Sequence, residues 1–266
     1  MHRRRPILAL FGGMATTLLL AGCQRGAPAP GSNAAAPPEP LRIAAASDLQ
    51  TVLPALARRF NESTGHEVTL TFGASGMLAE QIRGGAPFDL FLAANQQFVK
   101  DLAAVGLVRP DSVRPYARGT LVLAIHRESG QPVEGLADLA HAAVKKIALA
   151  NPETAPYGLA GKQALERSGL WSKLESKIVR SESVSQALKF VATGNAEAGL
   201  VGHAIASVPS VRVVAIDSSL YDPIIQTLGI VSESKQPEVA GTFAEFVVSE
   251  TGQSILTAAG FASAQP

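Results

Sequence analysis

The chain has 266 residues, 23 basic against 22 acidic side chains and a single cysteine. That balance excludes the basic surface of a nucleic-acid binder, and one cysteine excludes a disulfide framework or a thiolate metal cluster. The length gives ample material for one large domain or two lobes.

The first 22 residues read as an export signal. His2-Arg3-Arg4-Arg5 is a basic start, and Ile7 to Ala21 is an apolar run too short for a comfortable membrane span. It ends in Leu20-Ala21-Gly22-Cys23, which resembles the lipobox of bacterial lipoproteins. That resemblance implies cleavage before Cys23 and lipid on it; the competing reading is a short buried helix with a chance cysteine. Loss of Arg3, Arg4 and Arg5 leaves 20 basic against 22 acidic residues, a net charge of −2. Residues 23–40, rich in Pro, Ala and Gly, read as a flexible tether. A soluble domain on an extracytoplasmic membrane face is expected.

From Leu41 strands and helices alternate. Strands are expected at 41–46, 67–72 and 88–93, with helices at 49–64, 77–83 and 96–105 between and after them. Pro54 limits the start of the first helix. A second set follows, with strands at 121–126, 146–150, 177–180, 198–201, 211–216 and 227–232 and helices at 157–168 and 184–193. The tail, 237–259, reads as one helix. Strands separated by helices point to parallel sheets covered on both faces.

Four strand-to-helix corners carry small or hydroxyl residues: Ala46-Ser47-Asp48, Gly73-Ala74-Ser75-Gly76, Asn151-Pro152 to Tyr157-Gly158, and Ser183-Val184-Ser185. Helix N-termini present unpaired N–H groups and a partial positive charge, which suit an anion. No Arg or Lys cluster accompanies them, so convergence would make an anion pocket of neutral donors. Ser47 and Ser75 offer hydroxyls. Tyr157 offers its amide, its hydroxyl or a wall, and Val184 only its amide. The competing reading of each corner is an ordinary cap, worth about 1 kcal/mol and needing no ligand. Asp48 is expected to cap its own helix through its side chain. A carboxylate facing a dianion would repel it, whereas it could accept from a protonated ligand such as hydrogen phosphate.

Taken together, Ala44-Ala45-Ala46-Ser47, Phe72 to Gly76, Gly85 to Phe91, Asn151 to Gly158 and Ser183 to Leu188 resemble the periplasmic molybdate-binding proteins of ABC importers. The resemblance runs from Leu41 to Phe261. It implies an α/β, two-lobed type II periplasmic-binding-protein fold, each lobe a mostly parallel sheet flanked by helices. Lobe one would be 41–118 plus 226–266, lobe two 119–225, with hinges near Arg118 to Thr120 and Pro223 to Thr227. It implies capture of molybdate, and tungstate too, by Ser47, Ser75, Tyr157 and Val184, with Asp48 and His203 as further candidates. His203 stands where some members have a tyrosine donor. No side chain would ligate the metal directly. A membrane permease is the implied partner, no cofactor is implied, and a monomer is expected.

Outside that set, His66, His126 and His141 lack metal-ligand spacing. Gly73-Ala74-Ser75-Gly76 lacks the ending of a nucleotide loop and the spacing of a nucleophile elbow. No nucleophile, base and acid form a set, so an enzyme is not expected. The rival readings are a phosphate or sulfate binder, a lipid-anchored hydrolase using Ser47 or Ser75, and a purely structural envelope lipoprotein.

Overall fold

The structure, a computed structural model, describes residues 39–130 and 133–264. The export signal, Cys23 and most of the tether lie outside the described residues.

Among the described residues ten strands and eight α-helices follow one another from Leu41. They are β1 (Leu41–Ala46), α1 (Leu53–Thr64), β2 (Val68–Gly73), α2 (Ser75–Arg83), β3 (Leu90–Ala93), α3 (Gln96–Ala104), β4 (Arg114–Gly119) and β5 (Leu121–His126). Then come β6 (Ile147–Ala150), α4 (Pro156–Arg167), α5 (Trp171–Leu174), β7 (Ile178–Ser181), α6 (Val184–Ala192), β8 (Ala198–Gly202), β9 (Val211–Ala215), β10 (Ile224–Ile230), α7 (Pro237–Val248) and α8 (Glu250–Ala258).

Among the described residues these strands make two five-stranded sheets, ordered β2-β1-β3-β10-β4 and β7-β6-β8-β5-β9. Both sheets are mixed, which corrects the expectation of mostly parallel ones. β1 pairs in parallel with β2 and β3, but β10 runs antiparallel to β3 and β4. β6 pairs in parallel with β7 and β8, but β5 runs antiparallel to β8 and β9. The physical reason is the passage between sheets. β4 leads into β5 through Thr120 alone, with no covering helix to return the chain to the same sheet in the same direction. β10 makes the second crossing after β9, and the Tyr221 hydroxyl accepts the N–H of Leu121, tying the crossings together at 3.1 Å.

Each sheet with its helices forms a lobe. α1 turns Leu53, Leu56 and Phe60 inward, and Phe60 meets Phe243 of α7 edge to face at 4.9 Å. Burying a side chain of this size contributes about 1.5–3 kcal/mol. Gly65, in the left-handed region at φ 76°, ends α1. α1 begins at Leu53 rather than 49, because residues 47–49 form a short 3₁₀ turn and Pro54 fits only the first turn of a helix. The tail is two helices. Ser249 leaves helical geometry at ψ 164° and its hydroxyl accepts the N–H of Gly252, capping α8.

Register brings the corners together. Ala46 pairs with Gly73, so Ser47 and Ser75 leave the same edge of the first sheet. Ala150 pairs with Ser181, so the Asn151 and Ser183 corners leave the same edge of the second. Both are C-terminal edges of parallel strands, where open α/β sheets bind ligands.

Candidate functional site

Ala46, Ser47, Asp48, Gly73, Ala74, Ser75 and Ala94 from one lobe, with Ala155, Pro156, Tyr157 and Val184 from the other, line one small void. No cationic side chain lines it. Larger depressions on the surface, among them one between Gln50 and Lys189, are open and bordered by exposed charged side chains. The two lobes meet around the void. The N–H of Gly76 donates to the carbonyl of Thr154 at 2.8 Å, and the Thr51 hydroxyl donates to the carbonyl of Ala204 at 3.1 Å.

Neither serine is a cap. The first turn is entered from Ala46 and α2 from Ala74, both without a side-chain cap bond. Ser75 is fully buried, and its Oγ accepts the N–H of Ala94 at 3.0 Å, which leaves its own proton to donate elsewhere. Ser47 is buried as well, and its hydroxyl has no hydrogen-bond partner among the described residues. Ser183 does cap α6, accepting the N–H of Gln186 at 3.3 Å.

Tyr157 and Val184 lie in the first turns of α4 and α6, where a helix supplies no acceptor, and among the described residues no carbonyl outside the helices takes their N–H groups. Pro156 opens α4, where its missing N–H costs nothing. Gly158 is required by close approach, since a Cβ there would overlap the carbonyl of Ala150. The amide of Gly76, by contrast, is already engaged by Thr154 and is no free donor.

Asp48 departs from expectation. It does not cap a helix. Its Oδ2 accepts from Nε2 of Gln226 at 2.6 Å, while its Oδ1 is buried without a partner. Gln226 in turn accepts the Tyr116 hydroxyl at 3.2 Å and stands 3.5 Å from the Tyr157 hydroxyl. All four side chains are buried. Burial pushes the Asp48 carboxyl up to about 6, against a downward pull from the nearby Tyr157 hydroxyl, Gln226 and its own amide. Tyr157 is close enough to favour the carboxylate without completing a well-formed bond to Oδ1. Burial, with the Asp48 charge second, raises both tyrosines well above the ordinary phenol value and keeps them neutral donors.

The structure thus brings Ser47, Asp48, Ser75, Tyr157 and Val184 to one void and leaves His203 out of it. His203 is exposed, with its ring beside Gly260. Gln226 and Tyr116 were not anticipated. The available signal was a glutamine inside the apolar run Ile224 to Ile230, where a polar side chain needs a buried partner. Among the described residues no group of three or more His, Cys, Asp or Glu could hold a metal ion. No helix among them is long and apolar enough to cross a membrane.

Two mixed α/β lobes closing on a small, cation-free, donor-lined void define a cleft-type binding protein for a small solute. The chain belongs to the family described as bacterial extracellular solute-binding proteins, which matches residues 41–262. It is 34% identical to the molybdate-binding protein ModA of Azotobacter vinelandii, covering 83% of this chain and 89% of that protein. It is 33% identical to the putative ABC transporter substrate-binding lipoprotein YvgL of Bacillus subtilis, covering 83% and 85%. The solved periplasmic molybdate-binding protein of Azotobacter vinelandii superposes with a TM-score of 0.77 at 32% identity, covering 83% of this chain and 98% of that one. These relatives are binding proteins, and the family is extracytoplasmic.

Proposed function

We infer that this protein captures molybdate, and tungstate with it, for an ABC importer. The observation that carries the reading is the cation-free void lined by Ser47, Ser75, Tyr157 and Val184 from both lobes. A tetrahedral dianion that is unprotonated at neutral pH has only acceptor oxygens. It suits a site whose hydroxyls and amides are all able to donate. Each hydrogen bond to a charged oxygen is worth about 1.5–3 kcal/mol, and the first turns of α2, α4 and α6 add dipole stabilisation without counter-cations. The anion is held through its oxygens by hydrogen bonds, and no side chain ligates the metal centre. The crossings at Thr120 and at Ile224 are the hinges about which the lobes open. Selectivity over sulfate follows from radius, because a preformed donor set cannot contract cheaply onto a smaller anion.

The closed form docks on a membrane permease. Cys23 anchors the chain by lipid to the extracytoplasmic face, residues 23–40 act as the leash, and the protein works as a monomer and is not an enzyme. Kinship with relatives named as molybdate-binding and as a transporter lipoprotein supports this reading.

One observation favours a second reading. The unpartnered Oδ1 of Asp48 could accept the proton of hydrogen phosphate. Calorimetric titration of the protein lacking residues 1–38 with molybdate, tungstate, sulfate and phosphate decides between them. Saturable heat with molybdate and tungstate and none with phosphate is expected; the reverse pattern overturns the molybdate reading.

A further inference from the structure

An acceptor oxygen at the edge of an anion site is a chemical contradiction unless a proton resolves it. Asp48 borders the void, is fully buried and spends Oδ2 on Gln226. Its Oδ1 makes no well-formed hydrogen bond, although the Tyr157 hydroxyl lies near the carboxylate. A dianion entering beside it brings only acceptor oxygens of its own, so carboxylate and ligand would face each other with like charge and no hydrogen between them. Building on the molybdate reading above, we propose that capture of the dianion takes up one proton, which Asp48 Oδ1 holds and donates to a ligand oxygen. The proton comes from solvent. An O–H bond forms at Oδ1, the carboxylate becomes neutral, and no bond in the ligand breaks.

The surroundings leave Asp48 as the group that does this. From β4 and β10 the side chains facing it are Tyr116 and Gln226, and from α4 Tyr157. The phenols are held neutral and Gln226 does not titrate. The turn carrying Asp48 also packs against β2, which has no titratable side chain, against α6, whose Lys189 is exposed, and against the 203–205 turn, whose His203 is exposed. None of these hydrogen-bonds to the carboxylate. Burial raises the carboxyl to about 6, so the proton lies within reach near neutral pH.

The experiment is calorimetric titration of molybdate into the protein lacking residues 1–38, in pairs of buffers that differ in ionisation enthalpy. At pH 8 about one proton should enter per molybdate bound, and about half of one at pH 6, as linkage requires for a group near 6 in the free protein. Across pH 7–9 the Kd should weaken about tenfold per unit. Asp48→Asn should bind molybdate with no proton uptake and a Kd flat over that range, since its amide donates at every pH, whereas Oδ1 donates only when protonated. Molybdate binding by the unsubstituted protein with no proton uptake at pH 8 overturns the proposal and leaves the molybdate reading standing. No molybdate heat at any pH overturns both. Proton uptake that persists in Asp48→Asn assigns the proton to another group and overturns the role of Asp48.

Discussion

The two lobes share one frame and fill it differently. In each sheet two parallel pairings are followed by two antiparallel ones, and in each a pair of corners leaves the same strand edge toward the void. In lobe one those corners present side chains, the hydroxyls of Ser47 and Ser75 and the carboxyl of Asp48. In lobe two they present backbone, the first-turn amides of α4 and α6. The difference teaches where chemistry can be edited. Lobe one loses a donor when a side chain is cut. Lobe two loses one only when the backbone moves.

The largest expected effect is therefore on lobe one. Ser47→Ala with Ser75→Ala removes two hydroxyl donors, each worth about 1.5–3 kcal/mol to a charged acceptor, so molybdate affinity should fall about 10²–10⁴-fold. The melting temperature should fall modestly, because Ser75→Ala leaves the buried N–H of Ala94 without its acceptor, a cost of about 1–3 kcal/mol, while neither serine is a helix cap. Unchanged affinity in the double variant would put the anion elsewhere. The counterpart in lobe two is Gly158→Ala. A methyl group there overlaps the Ala150 carbonyl, so α4 must shift bodily and take the Tyr157 amide with it. Overpacking of this kind costs about 1–3 kcal/mol, occasionally more, and both the melting temperature and the affinity should drop. A variant with lowered melting temperature and intact affinity would show that the Tyr157 amide is not a donor.

Asp48 sharpens the contrast through pH. Its carboxyl lies near 3.8 when unfolded and about 6 when folded. As pH rises the unfolded chain sheds this proton first, so the stability the group contributes is full below about 3.8 and gone once pH has passed through about 6. The loss is on the order of 2–3 kcal/mol. Denaturant unfolding of the unliganded protein at pH 4 and pH 7 should show that decline, and Asp48→Asn should lack it. An equal decline in both would remove Asp48 as its source.

Legibility in the sequence follows the same division. The four corners were readable because Ser, Gly and Pro carry their turn chemistry locally, and an apolar run such as Leu41 to Ala46 has one reasonable use. What escaped was long-range or irregular. β4 is Arg-Pro-Tyr-Ala-Arg-Gly, with no alternation and a proline, and it forms only because β10 pairs with it across a register shift at Gln226 and Thr227. The partner of Asp48 lies 178 residues away, which no local pattern encodes. Asp89 is similar. It accepts the backbone N–H of Arg42 and the Ser234 hydroxyl, so a carboxylate inside an apolar run is structural. His203 occupied a donor's place in the sequence and not in space.

The smallest expected effect is the most discriminating test of the lobe-two claim. Val184→Ala trims a buried side chain that borders the void, yet leaves untouched both the amide and the Ser183 cap that holds the first turn of α6. If Val184 acts only through its N–H, stability should fall by about 1–2 kcal/mol for the lost methyl groups while the Kd for molybdate changes by less than about threefold. Val184→Pro at the same position deletes the N–H itself. Proline is tolerated at the first helical position, so α6 should persist. In that variant the Kd should rise about tenfold or more, the worth of one hydrogen bond to a charged oxygen. Equal losses of affinity in the two variants would mean that the side chain shapes the site, and the division between a side-chain lobe and a backbone lobe would fail.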